Sequence, residues 1–287
     1  MNPLLKEAVK QAGDESSIYK IKRVAGGSIN ESYFVKTDRN NYFIKYHPNA
    51  PNRFFELEAK GLQLIKDTNT IDVPKVIAYS DQQERAYLVL EWVSGQEHKD
   101  TERLLGERLA SMHCHKGDKH GFSSNTYVGT FSQVNGLYTS WQAYYRECRL
   151  YSQLELGIQR NQITGKRRRQ LNKLIDKLDL FVPDHVTPSY LHGDLWGGNW
   201  IVGSNGAPFL IDPSFLFGDR HFELAFTELF GGFTNSFYQA YEERFPVSSY
   251  YEDCKAIYQL YYLLVHLNIF GEMYGPHVDT ILNKFVG

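Results

Sequence analysis

The spacing of apolar positions changes once along the chain, and that change divides it. Over roughly the first ninety residues the dominant period is two. Residues 19–24, 31–37 and 42–46 read as strands, and Asp38-Arg39-Asn40-Asn41 supplies the hairpin turn before the last of them. Residues 52–66 switch to helical spacing, with Phe55, Leu62 and Ile65 on one stripe. Short strands follow at 76–79 and 86–91. Beyond Trp92-Val93-Ser94-Gly95 the pattern lengthens into amphipathic helices, interrupted only by short hairpins around residues 189–211. This predicts an α+β fold, with a small strand-rich lobe over 1–92 and a larger, mostly helical lobe over 93–287.

Composition narrows the function classes. The 287 residues carry a net charge of −2, without the basic excess that a broad nucleic-acid surface needs. The one dense basic cluster, Lys166-Arg167-Arg168-Arg169, precedes Leu171, Leu174, Ile175 and Leu178 at helical spacing. It therefore reads as the solvated start of a helix. Cys114, Cys148 and Cys254 are scattered and odd in number, which gives no disulfide framework and fits a reducing cytoplasm. His113 and His115 lie two apart in the helix expected over 101–115 and point in different directions, so no metal set is expected there. The N-terminus mixes apolar with charged residues, unlike a signal peptide. The longest apolar stretch, 258–270, is thirteen residues, where a membrane span needs about 20.

The chemistry concentrates in one segment. Residues 191–200 read Leu-His-Gly-Asp-Leu-Trp-Gly-Gly-Asn-Trp, and Ile211-Asp212-Pro213 comes shortly after. A strand at 189–191 leads in, and 200–202 and 208–211 read as a hairpin around Gly203-Ser204-Asn205-Gly206. That arrangement brings Asp194, Asn199 and Asp212 to one end of the hairpin. Asp194 can accept the proton of an attacking hydroxyl, while Asn199 and Asp212 offer the hard oxygens that Mg²⁺ prefers. The Asp-to-Asn spacing is that of a kinase catalytic loop. Gly193 replaces the usual Arg, however, and Asp-Pro replaces Asp-Phe-Gly, which points to kinases of small molecules with the same architecture.

The first lobe carries matching parts. The turn Gly26-Gly27-Ser28-Ile29-Asn30 can lie over phosphates through its backbone N–H groups. Lys45 occupies the strand that holds the kinase lysine, on the face opposite Tyr42, Ile44 and Tyr46. Glu58 falls on the apolar stripe of the following helix, where an unpaired carboxylate is costly. An ion pair with Lys45 is expected.

With these residues in hand, the chain resembles bacterial members of the fructosamine (ketosamine) kinase family, which share the bilobal, protein-kinase-like fold of aminoglycoside and choline kinases. The resemblance runs nearly end to end. It includes Gly26-Gly27-Ser28-Ile29-Asn30-Glu31, Phe55-x-x-Glu58-Ala59, Asn125-x-x-x-Gly129 with Gln133 and Asn135, and Trp141 with Arg146-Glu147. His192-Gly193-Asp194-Leu195-Trp196-Gly197-Gly198-Asn199 is its most diagnostic string, and Gly218-Asp219-Arg220 and Tyr258-Gln259-Leu260-Tyr261-Tyr262 continue it.

The resemblance implies ATP- and Mg²⁺-dependent phosphorylation of a sugar hydroxyl on a ketoamine, a fructose, ribulose or erythrulose adduct, free or protein-bound. In such enzymes the phosphorylated adduct falls apart and frees the amine, which is deglycation. It also implies that the backbone of Glu91, Trp92 and Val93 meets adenine and that Trp196 lies against the sugar. Trp141 and Asp219 are implied as further substrate contacts. Two positions depart from the family's Gly-Asp-Arg-Glu-x-Asp-Leu-Ala pattern, His221 and Glu223. Glu223 is still expected to anchor the catalytic loop. A cytoplasmic monomer with neither nucleic-acid nor membrane partners is the default. Competing readings are an aminoglycoside- or choline-type kinase, the former demanding a dense acidic lining for its polycationic substrate, and a non-catalytic nucleotide-binding pseudokinase.

Overall fold

The computed structural model describes residues 3–24 and 30–287. The chain opens with helix α1 (Pro3–Gln11), then strands β1 (Ile18–Val24), β2 (Glu31–Thr37) and β3 (Asn41–His47). Helix α2 (Phe54–Asp67) and strands β4 (Val76–Ser80) and β5 (Ala86–Glu91) complete the first part. The five strands form one antiparallel sheet in the order β1-β2-β3-β5-β4.

Alternation along β3 sorts its side chains between two environments. Tyr42 and Ile44 join Val35, Tyr87 and Val89 under Leu5, Ala8 and Val9 of α1. On the other face, Leu88 and Leu90 pack with Phe55, Leu62 and Ile65 of α2, and Lys45 shares that face. Helix α1 was not expected. Its nine residues are too few to hold a helix by propensity, and docking on the sheet supplies the stability.

The second part begins with α3 (Thr101–His113), followed by short strands β6 (His120–Gly121), β7 (Thr126–Val128), β8 (Phe131–Gln133) and β9 (Leu137–Tyr138). Helix α4 (Trp141–Tyr144) runs into a π-helical segment, Tyr145–Tyr151, and then α5 (Ser152–Gln159) and α6 (Gly165–Asp176). Strands β10 (Ser189–Leu191), β11 (Trp200–Val202), β12 (Pro208–Leu210) and β13 (Leu216–Gly218) precede the final helices. These are α7 (Arg220–Thr227), α8 (Asn235–Arg244), α9 (Tyr251–Phe270) and α10 (Gly275–Val286).

Helix α9 is largely buried, with α5, α7 and α10 packed around it. Among the described residues no helix is long and apolar enough to cross a membrane. The expectation that only the hairpins near 189–211 break the helices needs correction. A four-stranded sheet, β10-β13-β6-β9, and the separate hairpin β7–β8 also lie in this part. Strands of two or three residues offer too few positions for a period to register.

Candidate active site

The floor of the site is the loop between β10 and β11. Gly193 adopts φ +86°, and a Cβ there would fall 2.0 Å from the Ser214 carbonyl oxygen, so only glycine fits. This accounts for the absence of the kinase arginine. Glu223 of α7 holds the loop from beneath: its carboxylate accepts the His192 N–H (3.1 Å), the Gly193 N–H (2.6 Å) and the His113 Nε2–H (2.9 Å). Tyr241 Oη lies 2.7 Å from His113 Nδ1, which fixes the tautomer that donates to Glu223. His192 ties the loop to the neighbouring strand, donating from Nε2 to the Ile211 carbonyl at 2.7 Å and accepting the Asp194 N–H at Nδ1.

Asp194 and Asn199 face each other across the loop. Asn199 Nδ2 donates to the Asp194 carbonyl at 2.8 Å and to Oδ2 at 3.1 Å, leaving Oδ1 for a hard cation. The β11–β12 pairing continues through Ile211 N–H to the Asn199 carbonyl at 3.0 Å and delivers Asp212 next. Asp212 has a left-handed backbone (φ +57°), and its side chain is 43% exposed, open to an incoming ligand.

From the sheet, buried Lys45 places Nζ 2.7 Å from Glu58 Oε1 and 2.5 Å from Asp212 Oδ1. The ion pair expected with Glu58 is present, and the lysine joins both parts of the chain. Helix α2 is set for this contact at two points. The Asp81 carboxylate accepts the Phe55 and Glu56 N–H groups at 2.8 and 2.9 Å, satisfying the helix N-terminus. Gly61 lets the helix approach Pro213, since a Cβ there would already lie 3.1 Å from the proline ring.

The electrostatics follow from this crowding. Burial and the neighbouring Asp212 charge push Asp194 up to about 8, against the hydrogen bond from Asn199. Burial alone would lower Lys45, but the Asp212 and Glu58 carboxylates outweigh it and keep the ammonium charged. Glu58 is raised, because burial exceeds its share of that one cation. Burial also opposes ionisation of Glu223, yet hydrogen bonds from His113 and the Gly193 N–H keep it below the usual carboxylate range.

Lys45, Glu58, Asp194, Asn199 and Asp212 line a cavity of about 640 Å³. A strand lysine paired to a helix glutamate, opposite an Asp-to-Asn loop and a second aspartate, is the layout of a phosphotransferase. The family model for fructosamine kinase matches residues 1–287. The chain belongs to the fructosamine kinase family. A probable ketoamine kinase from Enterococcus faecium is 37% identical over 267 residues, covering 93% of this chain and 95% of that protein. A crystal structure from Haemophilus somnus 129PT, provisionally assigned as a fructosamine-3-kinase, has TM-score 0.86 and 30% identity, covering 99% of this chain and 96% of that one. A choline kinase from Streptococcus pneumoniae matches at TM-score 0.62 and 18% identity over 99% of this chain and 96% of that one, which shows the shared fold.

Within this member of the family, the remaining expected site residues divide into three groups. Asn30 and Trp196 line the cavity. Asn30 Oδ1 is buried without a hydrogen-bond partner among the described residues, and the Trp196 indole is 44% exposed. Gly26, Gly27, Ser28 and Ile29 lie outside the described residues. Glu91, Trp92 and Val93 do not line this cavity. The Glu91 carboxylate accepts the Lys75 N–H at 2.9 Å, and the Trp92 N–H donates to the Asn41 carbonyl at 3.3 Å.

Trp141 and Asp219 require correction as substrate contacts. Trp141 is fully buried among Tyr144, Tyr145, Phe222 and Tyr258, with Nε1 donating to Tyr258 Oη at 2.8 Å. Asp219 is equally enclosed. It caps α7 and accepts from Tyr258 Oη (2.6 Å) and His221 Nδ1 (2.7 Å), so both residues serve packing. Sequence reasoning also missed a whole wall of the cavity, residues 126–131, which face Phe230, Val265 and Ile269. Its signal was present: two three-residue apolar-containing runs separated by Gly129-Thr130.

Proposed function

We propose that this kinase transfers the γ-phosphoryl group of ATP to a sugar hydroxyl of a ketoamine. The convergence of Asp194, Asn199, Asp212 and the Lys45–Glu58 pair on one cavity carries the proposal. Asp194 accepts the hydroxyl proton as the sugar oxygen bonds to the γ-phosphorus, and the bond to the bridging β–γ oxygen breaks to leave ADP. Lys45 contacts the α- and β-phosphates and Glu58 holds it there. Gly26, Gly27, Ser28, Ile29 and Asn30 cover the phosphates, and the backbone of Glu91, Trp92 and Val93 meets adenine.

Asp212 and Asn199 are the residues that would hold Mg²⁺, and their hard oxygens fit it. Among the described residues no group of three or more His, Cys, Asp or Glu side chains could hold a metal by itself. The cation is therefore expected to arrive with the triphosphate. Bound there, it would neutralise charge on the transferring phosphoryl group.

The lining favours a ketoamine over an aminoglycoside. Its carboxylates are Glu58, Asp194 and Asp212, all in the phosphoryl-transfer cluster. Among the described residues the rest of the wall is mostly apolar and aromatic, with no acidic lining for a polycation. The exposed Trp196 indole in the cavity wall supports a contact with the sugar. Decay of the phosphorylated adduct makes the reaction a deglycation step, in a cytoplasmic, monomeric enzyme.

An ATP-consumption screen tests the reading, using ribulose-lysine, erythrulose-lysine, fructose-lysine, morpholino-fructose, choline and kanamycin. Turnover of one or more ketoamines is expected. Turnover of kanamycin or choline alone would overturn the acceptor assignment.

A further inference from the structure

The segment that carries Asn125-x-x-x-Gly129, Gln133 and Asn135 has no role in the transfer chemistry, yet its residues 126–131 line the cavity. Strands β7 and β8 pair in register, Val128 with Phe131, around the two-residue turn Gly129-Thr130. Gly129 takes φ +62°, as the first position of a tight hairpin turn requires. The tip, residues 128–131, faces the cavity.

The base of the hairpin is tied to the Asp212 segment. Gln133 is buried and uses both ends of its amide. Its Oε1 accepts from Thr126 Oγ1 (2.8 Å) and Ser214 Oγ (3.0 Å), and its Nε2 donates to Tyr261 Oη (2.5 Å). Ser214 lies two residues beyond Asp212, so this contact sets the hairpin's distance from the proposed metal ligand. A second tie comes from Arg149 in the π-helical segment. Its guanidinium donates to the Val134 carbonyl (2.8 Å), the Cys148 carbonyl (3.0 Å) and Asn135 Oδ1 (3.1 Å).

Arg149 is fully buried, and among the described residues no carboxylate pairs with it. Only carbonyl and amide oxygens and the faces of Tyr144 and Tyr261 offset its charge. Burying a cation this way is costly, and π-helical turns recur at functional sites. The opposite side of the hairpin touches the lead-in to α2. Tyr127 Oη donates to the Asn52 carbonyl at 3.0 Å, and its ring lies 5.3 Å from that of Phe54.

We propose that the β7–β8 hairpin positions the acceptor in this kinase, and that Gln133, Ser214 and Arg149 are positioning residues that fix its tip relative to Asp212. The inference rests on the phosphoryl-transfer reading above. A wall of this kind sets where the sugar hydroxyl sits without touching the nucleotide. Disturbing it should therefore separate acceptor kinetics from nucleotide binding.

The test compares the full chain with Ser214→Ala and Gln133→Leu, using morpholino-fructose and ribulose-lysine as acceptors. Calorimetry gives ADP affinity, and hydrogen–deuterium exchange is followed over residues 126–133. The variants are expected to lose about ten- to hundredfold in kcat/KM for the acceptor, with ADP affinity within about twofold and faster hairpin exchange. Folded variants with unchanged acceptor kinetics would overturn the proposal, as would ADP affinity falling in step with them. If Gln133→Leu does not fold, Ser214→Ala, which deletes one hydroxyl, decides alone. If the wild type phosphorylates neither acceptor, the phosphoryl-transfer reading has failed for these substrates. Faster hairpin exchange in Ser214→Ala then still supports the tie, and unchanged exchange overturns it.

Discussion

Glu223→Gln isolates the contribution of one carboxylate to the shape of the catalytic loop. Glu223 is fully buried, and its two oxygens take three donors: His192 N–H, Gly193 N–H and His113 Nε2–H. Glutamine keeps one acceptor oxygen and turns an NH₂ group toward donors, so at least one of them loses its partner. Hydrogen bonds to charged groups contribute about 1.5–3 kcal/mol each. For a chain of this size, losing one predicts a fall in Tm of roughly 3–12 °C. The loop that bears Asp194 should relax with it, so kcat should fall by more than about tenfold even at temperatures where the variant is folded. Thermal melting by circular dichroism and steady-state turnover of the same preparation check both effects. A Tm within about 2 °C of wild type, with turnover within about twofold, would refute the claim that this carboxylate shapes the loop.

Three further outcomes follow from the site. Asp194→Asn should lower kcat by about 10²–10⁴-fold while ADP affinity by calorimetry barely moves, and near-normal turnover would contradict its role as base. The raised Asp194 also sets a pH dependence: its contribution to the stability of the nucleotide-free protein is full below the usual aspartate range and is lost as pH rises toward about 8. Melting temperature measured across that window should therefore decline more in wild type than in Asp194→Asn, and parallel profiles would count against the shift. Asp212→Ala should weaken Mg-ATP binding and, by removing the adjacent negative charge, move the alkaline limb of that profile to lower pH. Unchanged Mg-ATP affinity by calorimetry would exclude Asp212 as a metal ligand.

The sequence was most informative where one physical constraint acts on each position. Strands β2 and β5 begin and end where the sequence places them, and successive side chains of β5 enter cores on opposite faces of the sheet, Leu88 and Leu90 on one and Tyr87 and Val89 on the other. Glu58 was legible as an ion-pair partner because a carboxylate on an apolar stripe must meet a cation. Glu223 was expected to anchor the catalytic loop only because the family resemblance implied it, although its residue type departs from the family pattern. Trp141 and Asp219 misled because a motif records that residues are required without recording why. An indole beside a cavity and an indole inside an aromatic core look alike in one dimension. The hairpin β7–β8 carried a local turn signal at Gly129-Thr130, but its place beside the site did not show. Its ties to Ser214 and Tyr261 join residues more than eighty positions apart, and no local period reflects them.

Charge balance connects these parts into one scheme. The cavity lining brings three carboxylates, Glu58, Asp194 and Asp212, toward a single ammonium, Lys45. Burial first and the Asp212 charge second raise Asp194, and Lys45 pairs with Glu58 and Asp212 instead of with it, so Asp194 holds its proton to an unusually high pH. A free triphosphate would add negative charge beside Asp212 that Lys45, already paired, would have to offset alone. A divalent cation that came with the triphosphate and was held by Asp212 would offset that charge. Held there, it would also lower the proton affinity of Asp194 and make the base competent when the donor is bound. Crowding of carboxylates, unfavourable by itself, would thereby link base activation to donor binding.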